Sequence, residues 1–70
     1  MQMQINSRKL GKTLYFRIAS RGGYLWVSVG DSEWMQCCAG GGMMGSTIDC
    51  SPSNFEKGVR NWYRQYVANS

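Results

Sequence analysis

The sequence predicts a two-layer α+β fold: an antiparallel meander of four or five strands with one C-terminal helix packed on one face. Three observations predict it. The first half of the chain alternates apolar and polar residues with a period of two, punctuated by turn residues. The C-terminal segment changes to a helical period, with Phe55, Val59, Trp62 and Tyr66 forming one apolar stripe. A length of 70 residues leaves room for one small domain, residues 1–70, with a modest core.

Each element has its own local cause. Met3 and Ile5 alternate with Gln2, Gln4 and Asn6 in a first strand over residues 2–7, closed by a turn near Lys9, Leu10 and Gly11. Residues 12–19 make a second strand with Leu14, Phe16 and Ile18 on one face. Residues 23–30 make a third with Leu25, Val27 and Val29. Between them, Ser20-Arg21-Gly22-Gly23 supplies glycines for positive φ, so the two strands read as a hairpin. Beyond the Gly30-Asp31-Ser32 turn, residues 33–38 form a fourth strand. Either Met35 and Cys37 or Trp34 and Cys38 point inward, because both of its faces are partly apolar.

A Gly-rich loop follows over residues 39–45, then a short edge strand over 46–50 and a helix over about 52–67. Ser51 serves as N-cap with Pro52 at the first helical position, and Cys50 and Phe55 sit where a hydrophobic staple would. Ser53 with Glu56 offers a competing capping box. Gly58 costs a helix about 1 kcal/mol relative to Ala, which points to close approach between helix and sheet. Met3, Ile5, Leu14, Phe16, Ile18, Leu25, Val27 and Val29 are the residues expected to meet the helix stripe as the core.

Charge and composition exclude several classes of function. Eight Lys and Arg stand against four Asp and Glu, for a net charge of +4, with no histidine. The bases Arg8, Lys9, Lys12, Arg17 and Arg21 precede every acid; Asp31, Glu33, Asp49 and Glu56 follow; Lys57, Arg60 and Arg64 close the chain. Without imidazole a nucleophilic Cys lacks its usual base, and the acids show no paired spacing, so the chain reads as a non-enzyme. Cys37, Cys38 and Cys50 are odd in number and lack C-x-x-C spacing. A structural zinc takes about four Cys or His, so no metal and no cofactor is expected, and the thiols read as small buried side chains. The N-terminus is polar and no run reaches the roughly 20 apolar residues of a membrane span, so the expected location is cytoplasmic, with no membrane partner.

Three features carry candidate functions. The outer face of the central hairpin holds Tyr15, Arg17, Tyr24, Trp26 and Ser28, joined by Trp34. Aromatic rings beside a guanidinium stack nucleobases and counter phosphate, and the same face also suits a homodimer interface. The second feature is the run Gly40-Gly41-Gly42-Met43-Met44-Gly45-Ser46-Thr47. Its glycines allow N–H groups to converge on an anion while Ser46 and Thr47 add hydroxyls, and the plain alternative is a simple connection. A Walker loop needs a Lys that is absent here, and the G-x-x-G element of KH domains needs flanking helices that are not predicted. The third feature is the basic helix face of Lys57, Arg60 and Arg64, suited to phosphate contacts or to plain solvation.

The leading expectation is a non-enzymatic, self-associating module that binds a phosphate-bearing nucleotide through Tyr15, Arg17, Tyr24, Trp26, Gly41, Gly42, Ser46 and Thr47. The alternatives are a nucleic-acid binder that adds Lys57, Arg60 and Arg64, and an inhibitor that docks on a host protein. Small chains without catalytic equipment are typical of phage and other mobile-element accessory or anti-defence proteins. That class is an expectation from size and economy, and it would place the protein in the host cytoplasm.

Overall fold

The computed structural model describes residues 1–38 and 47–68 of the chain. Strands β1 (Gln2–Ser7) and β2 (Lys12–Arg17) pair antiparallel without a break, from Gln2 opposite Arg17 to Ser7 opposite Lys12. The turn between them closes where Gly11 N–H donates to the Ser7 carbonyl at 2.9 Å. The chain then turns through Gly22, which sits at φ +91° and where an added Cβ would lie 2.8 Å from the Cys50 carbonyl oxygen. Only glycine fits there.

The returning strand runs in two pieces, β3 (Gly23–Tyr24) and β4 (Trp26–Val29), interrupted at Leu25. One edge of β4 pairs β2, and the other pairs β5 (Met35–Gln36). The order across the four-stranded sheet is therefore β1-β2-β4-β5, the expected meander. β3 pairs instead with β6 (Asp49–Cys50), so one extended segment meets two partners in succession. They meet in a ring of backbone hydrogen bonds. Leu25 N–H donates to Ile48 O at 2.8 Å, Ile48 N–H to Cys37 O at 3.0 Å, and Cys37 N–H to Leu25 O at 2.8 Å.

Several expected strands are shorter than their alternation suggested. The second ends at Arg17 rather than 19. The third breaks at Leu25, and the fifth contracts to Asp49–Cys50, with Thr47 forming only a bridge to Cys38. The fourth contracts from 33–38 to Met35–Gln36, and its cause is visible. The Ser32 hydroxyl accepts the Val29 N–H at 2.8 Å, taking the donor that would have extended the β4–β5 ladder. Ser28 reinforces the turn by donating its hydroxyl to Ser32 O at 2.7 Å. Its inward residue is Cys37, at 1% exposure; Met35 is 52% exposed.

After Ser51, in extended conformation at φ −85° and ψ 161°, residues Pro52–Asn54 form one 3₁₀ turn. Ser51 N–H donates to Asn54 Oδ1 at 2.7 Å and Asn54 N–H returns to Ser51 O at 3.1 Å. The helix thus enters from Ser51 rather than from the Ser53–Glu56 box. Helix α1 (Phe55–Tyr63) follows, and Arg64–Ala68 widens into a π turn. The extra residue in that turn advances the apolar stripe, so Val67 is buried while Tyr66, the expected last stripe residue, is only half-buried.

Leu14, Phe16, Ile18, Leu25 and Val27 meet Phe55, Val59 and Val67 in the core, joined by Cys37 and Cys50. Met3, Ile5 and Val29, expected as core, are half-buried at its margin. Trp62 stands edge-on to Phe16, with ring centroids 5.8 Å apart, and its indole N–H donates to Cys38 O at 3.3 Å. Tyr63 donates its hydroxyl to Ser7 Oγ at 2.7 Å, tying the helix to β1.

Gly58 is the point of closest approach: a Cβ there would lie 2.6 Å from Cys50 Sγ. Gly58→Ala should therefore lower stability in urea unfolding, because overpacking of about 1–3 kcal/mol outweighs the roughly 1 kcal/mol gained in helix propensity. In a Cys50→Ala background the same substitution should become stabilising, a sign reversal that a double-mutant cycle reads directly.

Burial also governs the thiols. It pushes Cys37 up to about 12, helped by neighbouring Cys38 and Cys50, and raises Cys50 with a contribution from Asp49. An acid held protonated by folding contributes stability below its unfolded value and loses it as pH rises. The thiols' contribution to stability should thus be constant below pH 9 and be lost between about pH 9 and 12. At neutral pH a thiol reagent should modify the half-buried Cys38 rapidly, and Cys37 and Cys50 only on unfolding.

Candidate functional site on the outer sheet face

With Leu14, Phe16, Leu25 and Val27 committed to the helix side, the period of two assigns their neighbours to the opposite face. The strand register arranges these into rows. Gln2, Arg17, Trp26 and Gln36 form one row across four strands, and Gln4, Tyr15 and Ser28 form the next. A third row joins Thr13 to Asn6, whose side-chain oxygen accepts the threonine hydroxyl at 2.8 Å. The helix occupies the other layer, so no helix or strand among the described residues covers this face; the turn after β4 closes over Ser28, which is 6% exposed and bonded to Ser32, and leaves the Tyr15 side open.

Arg17 organises the face. Its guanidinium carbon lies 4.2 Å from the centre of the Trp34 ring, a cation–π contact that fixes the planar group at the sheet surface. Among the described residues Arg17 has no carboxylate partner, and the ion pair they form is Glu56–Arg60 at 3.1 Å. Its charge is therefore uncompensated by an acid. Trp26 and Trp34 are half-buried, while Tyr15 and Tyr24 are 37% and 51% exposed. The arrangement offers π surfaces for stacking, amides from Gln2, Gln4 and Gln36 for in-plane hydrogen bonds, and one cation for an anionic group.

The expected site residues divide into three groups. Tyr15, Arg17 and Trp26 are brought together, and Tyr24 lies on the same side of the strand two residues before Trp26, opposite Asp49. Thr47 is exposed at the sheet edge, bridged to Cys38. Gly41, Gly42 and Ser46 lie outside the described residues, together with Gly40, Met43, Met44 and Gly45.

Lys57, Arg60 and Arg64 are exposed on the helix layer, across the sheet from the platform. Arg60 pairs with Glu56, and Arg64 donates to Asn61 Oδ1 at 3.1 Å. The structure does not join them to Arg17 in one surface. Sequence reasoning overlooked the glutamines, although the alternation that placed Met3 and Ile5 inward already set Gln2 and Gln4 outward. It also ranked Trp34 below its role as the ring that holds Arg17.

Among the described residues no helix is long and apolar enough to cross a membrane, and no three His, Cys, Asp or Glu side chains gather to hold a metal ion. Comparison with protein-family models, with curated proteins and with solved structures finds no match for this chain.

Proposed function

We propose that this chain is a non-enzymatic module that binds a phosphate-bearing nucleotide on its outer sheet face. The observation that carries the reading is Arg17, held 4.2 Å over the centre of the Trp34 ring with no carboxylate partner among the described residues, and flanked in the ladder by Trp26. A base stacks on Trp26 or Tyr15, the neighbouring glutamine amides meet its edge, and Arg17 receives phosphate. Gly41, Gly42, Ser46 and Thr47 join the proposal from sequence, as donors on a segment whose base lies at the Cys38–Thr47 bridge, just beyond Gln36. Binding without turnover is sequestration. That role suits the expected class of mobile-element accessory proteins that blunt a host defence by removing a nucleotide signal.

Tryptophan fluorescence titrations with a nucleoside, its mono- and triphosphate, and a short single-stranded oligonucleotide test the reading. Trp26→Ala should weaken nucleotide binding by about 1–3 kcal/mol while leaving the unfolding midpoint nearly unchanged, because the helix-facing core is untouched. Arg17→Gln should weaken the triphosphate more than the nucleoside. A single nucleotide should show a shallow dependence on salt, whereas a steep loss of oligonucleotide affinity between about 50 and 200 mM salt would make the ligand a polymer. Absence of binding to all four probes would remove the nucleotide reading.

A further inference from the structure

Among the described residues nothing pairs with the outer edge of the N-terminal strand. Met1 and Ile18 exchange both backbone bonds, the terminal amine donating to Ile18 O at 3.0 Å and Ile18 N–H to Met1 O at 3.1 Å. Bonded and non-bonded pairs alternate in an antiparallel ladder, so Met3, Ile5 and Ser7 also turn their backbone groups toward β2. The N–H and C=O groups of Gln2, Gln4 and Asn6 therefore point away from the sheet. β1 is the outermost strand of its sheet, and those groups make no backbone bond to any described residue. Natural edges of this length are blunted by a Lys, a Pro, a bulge or a covering element. β1 spans six residues in unbroken register with no charge and no proline.

We propose that β1 is the docking edge for a second copy of this chain, paired antiparallel about a two-fold axis at Gln4. In that register Gln4 faces Gln4 of the partner subunit, Gln2 faces Asn6 of the partner subunit, and Met3 faces Ile5 of the partner subunit. Every outward N–H and C=O of Gln2, Gln4 and Asn6 then finds a partner. Moving the axis to Ile5 orphans Gln2, and moving it to Met3 orphans Asn6. The side chains match as well as the backbone: amides meet amides on the outer face, and half-buried Met3 meets half-buried Ile5 on the helix side.

Charge supports the same pairing. Glu56 and Met3 line one depression beside β1, and Arg60, Arg64 and Ile5 line another. An axis at Gln4 that sets Met3 against the partner's Ile5 carries Glu56, paired in its own chain with Arg60, toward the partner's Arg64. The two helices then lie antiparallel on one side of a continuous eight-stranded sheet. The rings and Arg17 on the outer face stay open on both copies, while the Gln2 and Gln4 amides border both surfaces, so the interface shares those two side chains with the nucleotide reading but not its aromatic platform.

Light scattering up to about 100 µM should give twice the 7.9 kDa chain mass, dissociating on dilution. Gln4→Pro removes the side-chain amide and an N–H that faces away from β2, at a place where an edge strand tolerates proline, and should yield a folded monomer by circular dichroism. Gln4→Lys, which sets like charges against each other at the axis, should do the same without altering the backbone. Register is read by crosslinking under mild oxidation against the wild-type background. Gln4→Cys should give a covalent dimer, since directly opposed bonded pairs lie about 5.5 Å apart, within disulfide reach. Gln2→Cys should not. A monomeric wild type, a dimer that survives both Gln4 variants, or a dimer abolished by Trp26→Ala but not by Gln4→Pro would overturn the proposal.

Discussion

The closed ring of backbone bonds among Leu25, Cys37 and Ile48 is the constraint on which the rest of the architecture hangs. Leu25 and Cys37 are buried and Ile48 is half-buried, so a donor or acceptor left unmade there costs about 1–3 kcal/mol. Each bond holds one segment against the next, and removing any segment strands groups on the other two. Cys37 is thereby turned inward, which sets Gln36 and Trp34 on the opposite face where Trp34 meets Arg17. The same ring delivers the chain into β6 and places Cys50 under Gly58, so the seat of the helix is decided at this point too.

What the sequence made legible followed from burial on one face. A one-residue slip of β1, β2 or β4 would expose every core side chain, so their alternation pinned the hairpin and the helix-facing residues. The helix entry was half legible: Ser51 with Pro52 suited it, but Ser53 with Glu56 offered a rival box, and only the Ser51–Asn54 bonds decide between them. The fourth strand was ambiguous because cysteine is small enough for either side; a main-chain bond at Cys37, invisible to any side-chain pattern, resolved it. Its shortening came from one serine hydroxyl intercepting a ladder donor, and the late shift from Tyr66 to Val67 came from a single widened turn.

The candidate site was half legible for a related reason. Periodicity assigned Tyr15, Arg17 and Trp26 to one face, and the register aligned them. A count of charges along the chain carries no information about layers, so Lys57, Arg60 and Arg64 seemed available to the same ligand. Helix packing on the opposite side of the sheet separates them. Of the eight bases, three lie on the solvated helix flank, where Arg60 is already engaged by Glu56, four (Arg8, Lys9, Lys12 and Arg21) lie exposed at the turns and the start of β2, and Arg17 alone sits over the Trp34 ring.

The Cys38–Thr47 bridge, one step outside the ring, has a consequence for how this chain tolerates change. The main-chain bonds at Cys37 and Ile48 close the sheet on the inner side of that bridge, so the register below does not depend on how much chain separates Cys38 from Thr47. Doubling the chain length between two closed positions alters closure entropy by only about 0.6 kcal/mol. Cys38 and Thr47 are thus a natural pair of splice points, between which sequence can be exchanged while the strands below keep their register. A graft between these two positions would leave the scaffold beneath it intact.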